Sequence, residues 1–143
     1  MTDTEPESTA DRITIYSDYV CPFCYLGRQS LAAYQADRED PLDIEWHPFD
    51  LRSHKRRPDG EIDHSVDDGK DDAYFEQARQ NVERLKDQYG AEEMLGLDDL
   101  PEVDSLDAQV ASAYVDAEYP ERWRAVDDAL FEALWLDGRD IGD

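Results

Sequence analysis

The chain has 143 residues, with 14 Lys and Arg against 37 Asp and Glu, for a formal net charge of −23. A chain this anionic repels phosphate, which argues against nucleic-acid binding and against docking on anionic membrane. No apolar run approaches the roughly 20 residues that span a bilayer. Yet 40% of the residues are hydrophobic and 10% aromatic, so a folded core is expected beneath the acidic surface, which a disordered acidic chain lacks. Lys55, Lys70 and Lys86 are the only lysines. Many carboxylates, few Lys and a folded core together suggest adaptation to high salt, where counter-ions screen the self-repulsion. The first residues, MTDTEPESTADR, lack the charged start and apolar stretch of a secretory signal, so a cytoplasmic protein is expected.

Residues 1–11 read as a disordered lead-in. Residues 12–16 alternate, with Ile13 and Ile15 on one face, and predict a strand. Residues 17–20 form a short loop. Cys21-Pro22 then opens a helix, since proline's missing N–H would have no partner in a first turn anyway. Leu26, Leu31 and Tyr34 are its expected buried stripe. A second alternation follows at 42–46, with Leu42, Ile44 and Trp46 on one face and Pro41 and Pro48 as brackets. Strand, helix and strand in this order predict parallel, neighbouring strands.

From residue 50 to 71 the chain is polar and rich in turn formers, including Pro58-Asp59-Gly60. Phe75, Ala78, Val82, Leu85 and Tyr89 then recur at helical spacing, with Gly90 as a stop. Asp104 or Ser105 is placed to cap a further helix carrying Leu106, Val110, Ala113, Tyr114 and Ala117. A last helix begins at Pro120, carries Trp123, Val126, Leu130, Leu134 and Trp135, and ends at Gly138. The expected organisation is an α/β unit over 12–50 followed by a helical block over 51–143.

The chemistry-bearing motif is the cysteine pair, Cys21-Pro22-Phe23-Cys24. A zinc site needs four ligands, and His47, His54 and His64 show no finger spacing, so no metal is expected. A purely structural disulfide is disfavoured in a reducing compartment, and so short a loop would restrain the unfolded chain little. Two ordinary core cysteines remain the alternative. Position favours redox chemistry: the pair falls where a strand feeds the first turn of a helix. There, unpaired amides and the helix dipole stabilise a thiolate, the nucleophile of disulfide exchange. Cys21 is expected to be the exposed, activated sulfur, with Cys24 more buried and within its reach.

Residues 15–27, Ile-Tyr-Ser-Asp-Tyr-Val-Cys-Pro-Phe-Cys-Tyr-Leu-Gly, resemble the DsbA family, and most closely its FrnE-like branch. Residues 45–51 are similar to that branch's second strand, and residues 106–108 and 130–143 to its helical insertion. The resemblance implies a thioredoxin-like fold with a helical insertion. It also implies thiol–disulfide oxidoreductase activity, with Cys21 as nucleophile, Cys24 as resolving cysteine, and Pro22 and Phe23 meeting the substrate. No cofactor beyond the cysteine pair is implied, although glutathione is a possible co-substrate. The partners expected are protein or low-molecular-weight thiols and disulfides. Family members continue into a loop with a cis-proline, two more strands and a helix, so this chain is expected to match a C-terminally truncated version of the fold. Two other readings stand beside it: a glutathione-dependent isomerase similar to the 2-hydroxychromene-2-carboxylate isomerases, which usually carry Ser at the first cysteine position, and a non-catalytic remnant.

Other features carry blander expectations. The cluster His54-Lys55-Arg56-Arg57 reads as a solvated loop and His47 as a surface histidine. Asp67-Asp68-Gly69-Lys70-Asp71-Asp72 lacks the calcium-loop pattern and reads as a solvated acidic stretch. Trp123 and Trp135 mark a core-facing helix side.

Overall fold

A computed structural model describes residues 12–40, 42–66 and 69–142. The expected lead-in at 1–11 and the pair Asp67-Asp68 lie outside the described residues. Strand β1 (Arg12–Ser17) is followed by helix α1 (Pro22–Ala36), strand β2 (Asp43–Pro48) and helices α2 (Asp72–Tyr89), α3 (Leu106–Glu118) and α4 (Pro120–Trp135). The two strands pair in parallel, with Ile13 opposite Ile44, Ile15 opposite Trp46 and Ser17 opposite Pro48. Parallel pairing follows from the α1 crossover, which returns the chain to the same end of the sheet.

Local chemistry sets the helix ends. Pro22 occupies the first turn of α1. Asp71 caps α2 by accepting from the Tyr74 amide at 2.9 Å, and Gly90 ends that helix at φ +68°, a conformation costly for any residue with a Cβ. The core joins every layer: Tyr19 from the loop after β1, Tyr25 and Leu26 from α1, Trp46 from β2, Val82 from α2, and Trp123, Phe131, Leu134 and Trp135 from α4. Tyr19 and Phe131 meet edge to face, with ring centroids 4.7 Å apart, a favoured aromatic geometry. The expectation for Trp123 and Trp135 is met, since both are buried.

Three expectations need correction. In α1 the buried pair is Tyr25 and Leu26, whereas Tyr34 is 54% exposed and Leu31 half-buried. Tyr34 instead lies beneath the Arg38 guanidinium, 5.5 Å from its ring centre. In α2, Phe75 is exposed beside Tyr74. In α3 the expected stripe is only partly right: Ala113 packs against the core, but Val110 is 61% and Tyr114 59% exposed, while Ala108, Gln109 and Ser112 are buried. The reason is hydrogen bonding. Ser112 Oγ is bonded to the Tyr19 hydroxyl at 2.8 Å and accepts from Trp123 Nε1 at 2.9 Å. Gln109 Nε2 donates to Ser105 Oγ at 3.0 Å. A buried polar group with partners costs little, and the small Ala108 and Ser112 let α4 approach closely.

The polar segment after β2 also departs from a solvated loop. The Arg56 side chain is largely buried and forks between two carboxylates, with Nε on Asp50 and Nη2 on Asp104 at 2.8 Å. It also donates to the Gly60 carbonyl at 2.8 Å. These bonds hold the loop against the segment that leads into α3. They also keep the Asp104 carboxyl below its usual range, chiefly through the Arg56 hydrogen bonds. Among the described residues no helix is long and apolar enough to cross a membrane.

Candidate active site

Cys21 is the N-cap of α1, with extended backbone angles, and Pro22 is the first helical residue. Its carbonyl accepts the first helical hydrogen bonds, from the Cys24 amide at 3.1 Å and the Tyr25 amide at 3.3 Å. Its own amide donates to the Asp18 carbonyl at 3.1 Å, closing a tight turn between β1 and α1. The dithiol therefore sits where the C-terminal ends of both parallel strands converge on a helix N-terminus.

The turn is fixed from beneath by Asp18, which is 1% exposed. Asp18 Oδ1 accepts from the Val20 amide at 3.1 Å and from the Ser105 hydroxyl. Oδ2 accepts from the Leu51 amide at 3.0 Å. One carboxylate thus ties the cysteine loop to the chain leaving β2 and to the start of α3. Tyr19 extends the anchorage. Its carbonyl accepts from Trp135 Nε1 at 2.8 Å, and its hydroxyl is bonded to Asp127 Oδ1 at 2.9 Å as well as to Ser112. Burial raises the Tyr19 hydroxyl far above its ordinary range and raises the Asp127 carboxyl too, against the pull of Arg28. Arg28 bridges Asp127 and Asp128.

The two sulfurs titrate as a unit. Hydrogen bonding between them pulls the Cys24 thiol down to about 6 and, with burial, pushes the Cys21 thiol up. The pair therefore shares one proton: the first leaves below the ordinary thiol range and the second is retained. The Asp18 amide and the Ser17 hydroxyl further favour a Cys24 thiolate, while the Phe23 and Cys24 amides favour a thiolate on Cys21. This corrects the expectation that Cys21 is the exposed sulfur and Cys24 the more buried one: both thiols are half-buried, and the lowered first ionisation belongs to the pair. The helix terminus was legible from the sequence; the donors that Ser17 and Asp18 bring to Cys24 depend on how β1 ends.

Phe23 is 40% exposed beside the pair, and Pro22 is half-buried. His47 lies away from the sulfurs. It stacks on Tyr16, with ring centroids 5.1 Å apart, and bonds to Glu45 at 2.7 Å. On the inner side of Cys24 a cavity of about 560 Å³ runs between α1, the sheet and α4. Two buried polar atoms in its lining residues lack partners, Trp46 Nε1 and Gln35 Oε1. Sequence pattern marked Trp46 as core and was silent on Gln35. Among the described residues no group of three or more His, Cys, Asp or Glu is placed to hold a metal ion.

Residues 12–143 match the family described as the DSBA-like thioredoxin domain. A stretch of 40 residues, 28% of this chain, is 45% identical to the uncharacterized protein YwbO of Bacillus subtilis (strain 168) and covers 19% of it. The solved structure of a 2-hydroxychromene-2-carboxylate isomerase superposes with a TM-score of 0.61 at 21% identity, covering 90% of this chain and 58% of that one. The chain thus spans little more than half of the solved relative and about a fifth of the curated one. At that identity the likeness speaks for a shared fold, α/β and of thioredoxin type.

Proposed function

The chain belongs to the DSBA-like thioredoxin family, and on that footing we propose that it is a thiol–disulfide oxidoreductase working through Cys21 and Cys24. The observation that carries the reading is the hydrogen-bonded dithiol at the α1 N-terminus, whose first proton leaves near neutral pH. In the reducing direction, with the shared proton on Cys24, the Cys21 thiolate attacks one sulfur of a substrate disulfide. A Cys21–substrate bond forms, the substrate S–S bond breaks, and the departing thiolate takes a proton from solvent. Cys24 then gives up its proton to solvent and attacks the Cys21 sulfur. The second substrate thiolate leaves and is protonated, and the Cys21–Cys24 disulfide remains. Run backwards, the cycle oxidises a substrate dithiol.

Cys21 is assigned the attack because it stands at the N-cap beside exposed Phe23, whereas Cys24 lines the inner cavity. Pro22 and Phe23 are the residues proposed to meet the substrate, a protein or low-molecular-weight disulfide, with glutathione as a co-substrate. No resident cofactor is invoked. Insulin reduction by dithiothreitol tests the reading: the wild-type chain accelerates precipitation and Cys21→Ser does not. Equal turnover in the variant would overturn it. A second reading, an isomerase like the structural neighbour, predicts instead that replacing Cys24 leaves activity intact.

A further inference from the structure

Ser105 stands at the N-cap of α3, where a serine usually caps its own helix, yet it makes no capping bond. Asp104 serves instead, accepting from the Leu106 amide at 3.1 Å. The Ser105 hydroxyl is turned across the fold. It donates to Asp18 Oδ1 and accepts from Gln109 Nε2 at 3.0 Å. Asp18, Ser105 and Gln109 are all buried. Asp18 in turn reaches the dithiol: its amide is bonded to the Cys24 sulfur, and its carboxylate opposes a negative charge there. Its carboxylate is not among the chief influences on Cys21. The start of the helical block is therefore linked, through one hydroxyl and one carboxylate, to one of the two sulfurs.

The charged groups around this junction differ in what neutralises them. Asp50 precedes Leu51 and Asp104 precedes Ser105, the two residues that bond Asp18 from across the fold, and both carboxylates are held by the Arg56 guanidinium. One arginine thus fixes where both donors stand. On the cavity side of Cys24, Arg28 of α1 is bridged to Asp127 and Asp128 of α4, with Arg124 and Glu132 in the same wall. The Asp18 carboxylate has two amides and one hydroxyl as partners, none of them charged. A buried carboxylate without a counter-ion acts through a medium that screens it weakly. We propose that Ser105 is a positioning residue of the dithiol that acts through Asp18: the Asp18 carboxylate sets the electrostatic cost of a thiolate on Cys24, and the Ser105 hydroxyl, by drawing on that charge, sets how much of it Cys24 meets. The inference rests on the oxidoreductase reading and adds to it a residue of α3, a helix that carries neither sulfur.

The test follows two readings in three variants: the pH dependence of alkylation of the reduced chain, and the thiol–disulfide equilibrium of the pair in glutathione buffers. Asp18→Asn keeps the shape and an acceptor for Ser105 but deletes the charge. Its alkylation rate is expected to rise at a pH about one unit lower than in wild type. Its equilibrium is expected to shift about tenfold toward the dithiol, a reduction potential about 30 mV higher. Ser105→Ala removes the donor that draws on the charge, and both readings are expected to move the other way. Ser105→Thr restores the hydroxyl and is expected to return them to the wild-type values. Simple damage to the turn would carry Asp18→Asn and Ser105→Ala alike toward an ordinary thiol, so opposite signs are the mark of the charge. An upward shift or no shift in Asp18→Asn, or a Ser105→Ala profile that coincides with wild type, would overturn the proposal. The Ser105 variants decide the matter where Asp18→Asn fails to fold. If no Cys21–Cys24 disulfide forms in any of the buffers, the oxidoreductase reading itself falls; if it forms with one potential in wild type and variants, this inference alone does.

Discussion

The loop before the cysteines and the groove beneath α1 flank the same residue, Cys24, and are built in opposite ways. In the loop, the Asp18 carboxylate and the Tyr19 hydroxyl and carbonyl are all partnered: Asp18 by three donors, the Tyr19 hydroxyl by Ser112 and Asp127, and its carbonyl by Trp135. In the groove, Ile13, Ile15, Ile44 and Leu31 share the lining with the charged side chains of Arg28, Arg124, Asp127, Asp128 and Glu132, around a cavity of about 560 Å³. A fully paired buried network holds one geometry, which suits a loop that must present two sulfurs at a helix end. One side of Cys24 is rigid support and the other is space.

The sharpest way to break that contrast is to remove the support. Trp135 is fully buried and donates to the Tyr19 carbonyl, so Trp135→Ala is expected to cost about 3–5 kcal/mol. Urea unfolding should show the variant largely unfolded in water. Asp18→Ala strands the Val20 and Leu51 amides and the Ser105 hydroxyl, at an expected cost of about 2–4 kcal/mol. A midpoint unchanged from wild type would mean that the loop does not depend on that carboxylate. Tyr19→Phe keeps the ring against Phe131 and deletes the hydroxyl, for about 1–2 kcal/mol by the same measurement. On α3 the contrast can be sharpened within one helix. Val110→Ser is expected to change stability by less than about 0.5 kcal/mol, whereas Ser112→Val, two residues on and on the opposite face, strands the Trp123 indole and costs about 1–3 kcal/mol. If the acidic surface is salt-adapted, as proposed from composition, the wild-type melting temperature should climb from low to multimolar KCl; a maximum at low salt would refute that proposal.

How much of this was legible in the sequence depended on what each element packs against. β1, α1 and β2 were readable because alternation and a Pro-led helix are local signals, and the CxxC motif marked the helix N-terminus directly. In α3 the pattern misled: Val110 and Tyr114 recur at helical spacing, but the buried face belongs to Gln109 and Ser112, and Ser112 is bonded to Tyr19, 93 positions away, and to Trp123 on the next helix. Arg56 was invisible as a structural residue for the same reason, since Asp104 is 48 positions away. Asp18 stood in the motif, but nothing in the sequence shows that its oxygens reach Leu51 and Ser105. The thiol electrostatics were half legible: the helix terminus could be read, while the Ser17 hydroxyl and the sharing of one proton could not.

The central claim is that Cys21 and Cys24 ionise as one unit with a lowered first step, and the rate of iodoacetamide alkylation against pH tests it most directly, with the modified sulfur identified by mass spectrometry. A thiol whose folded value is depressed gains its reactive thiolate as pH rises through that value. The rate should therefore climb through about pH 6, and one adduct per chain should form before the second sulfur reacts. In Cys21→Ala, with no side-chain donor left at that position, the rise at Cys24 should move upward in pH. A single inflection near 8.5, the value of an ordinary thiol, with both sulfurs modified independently, would contradict the account.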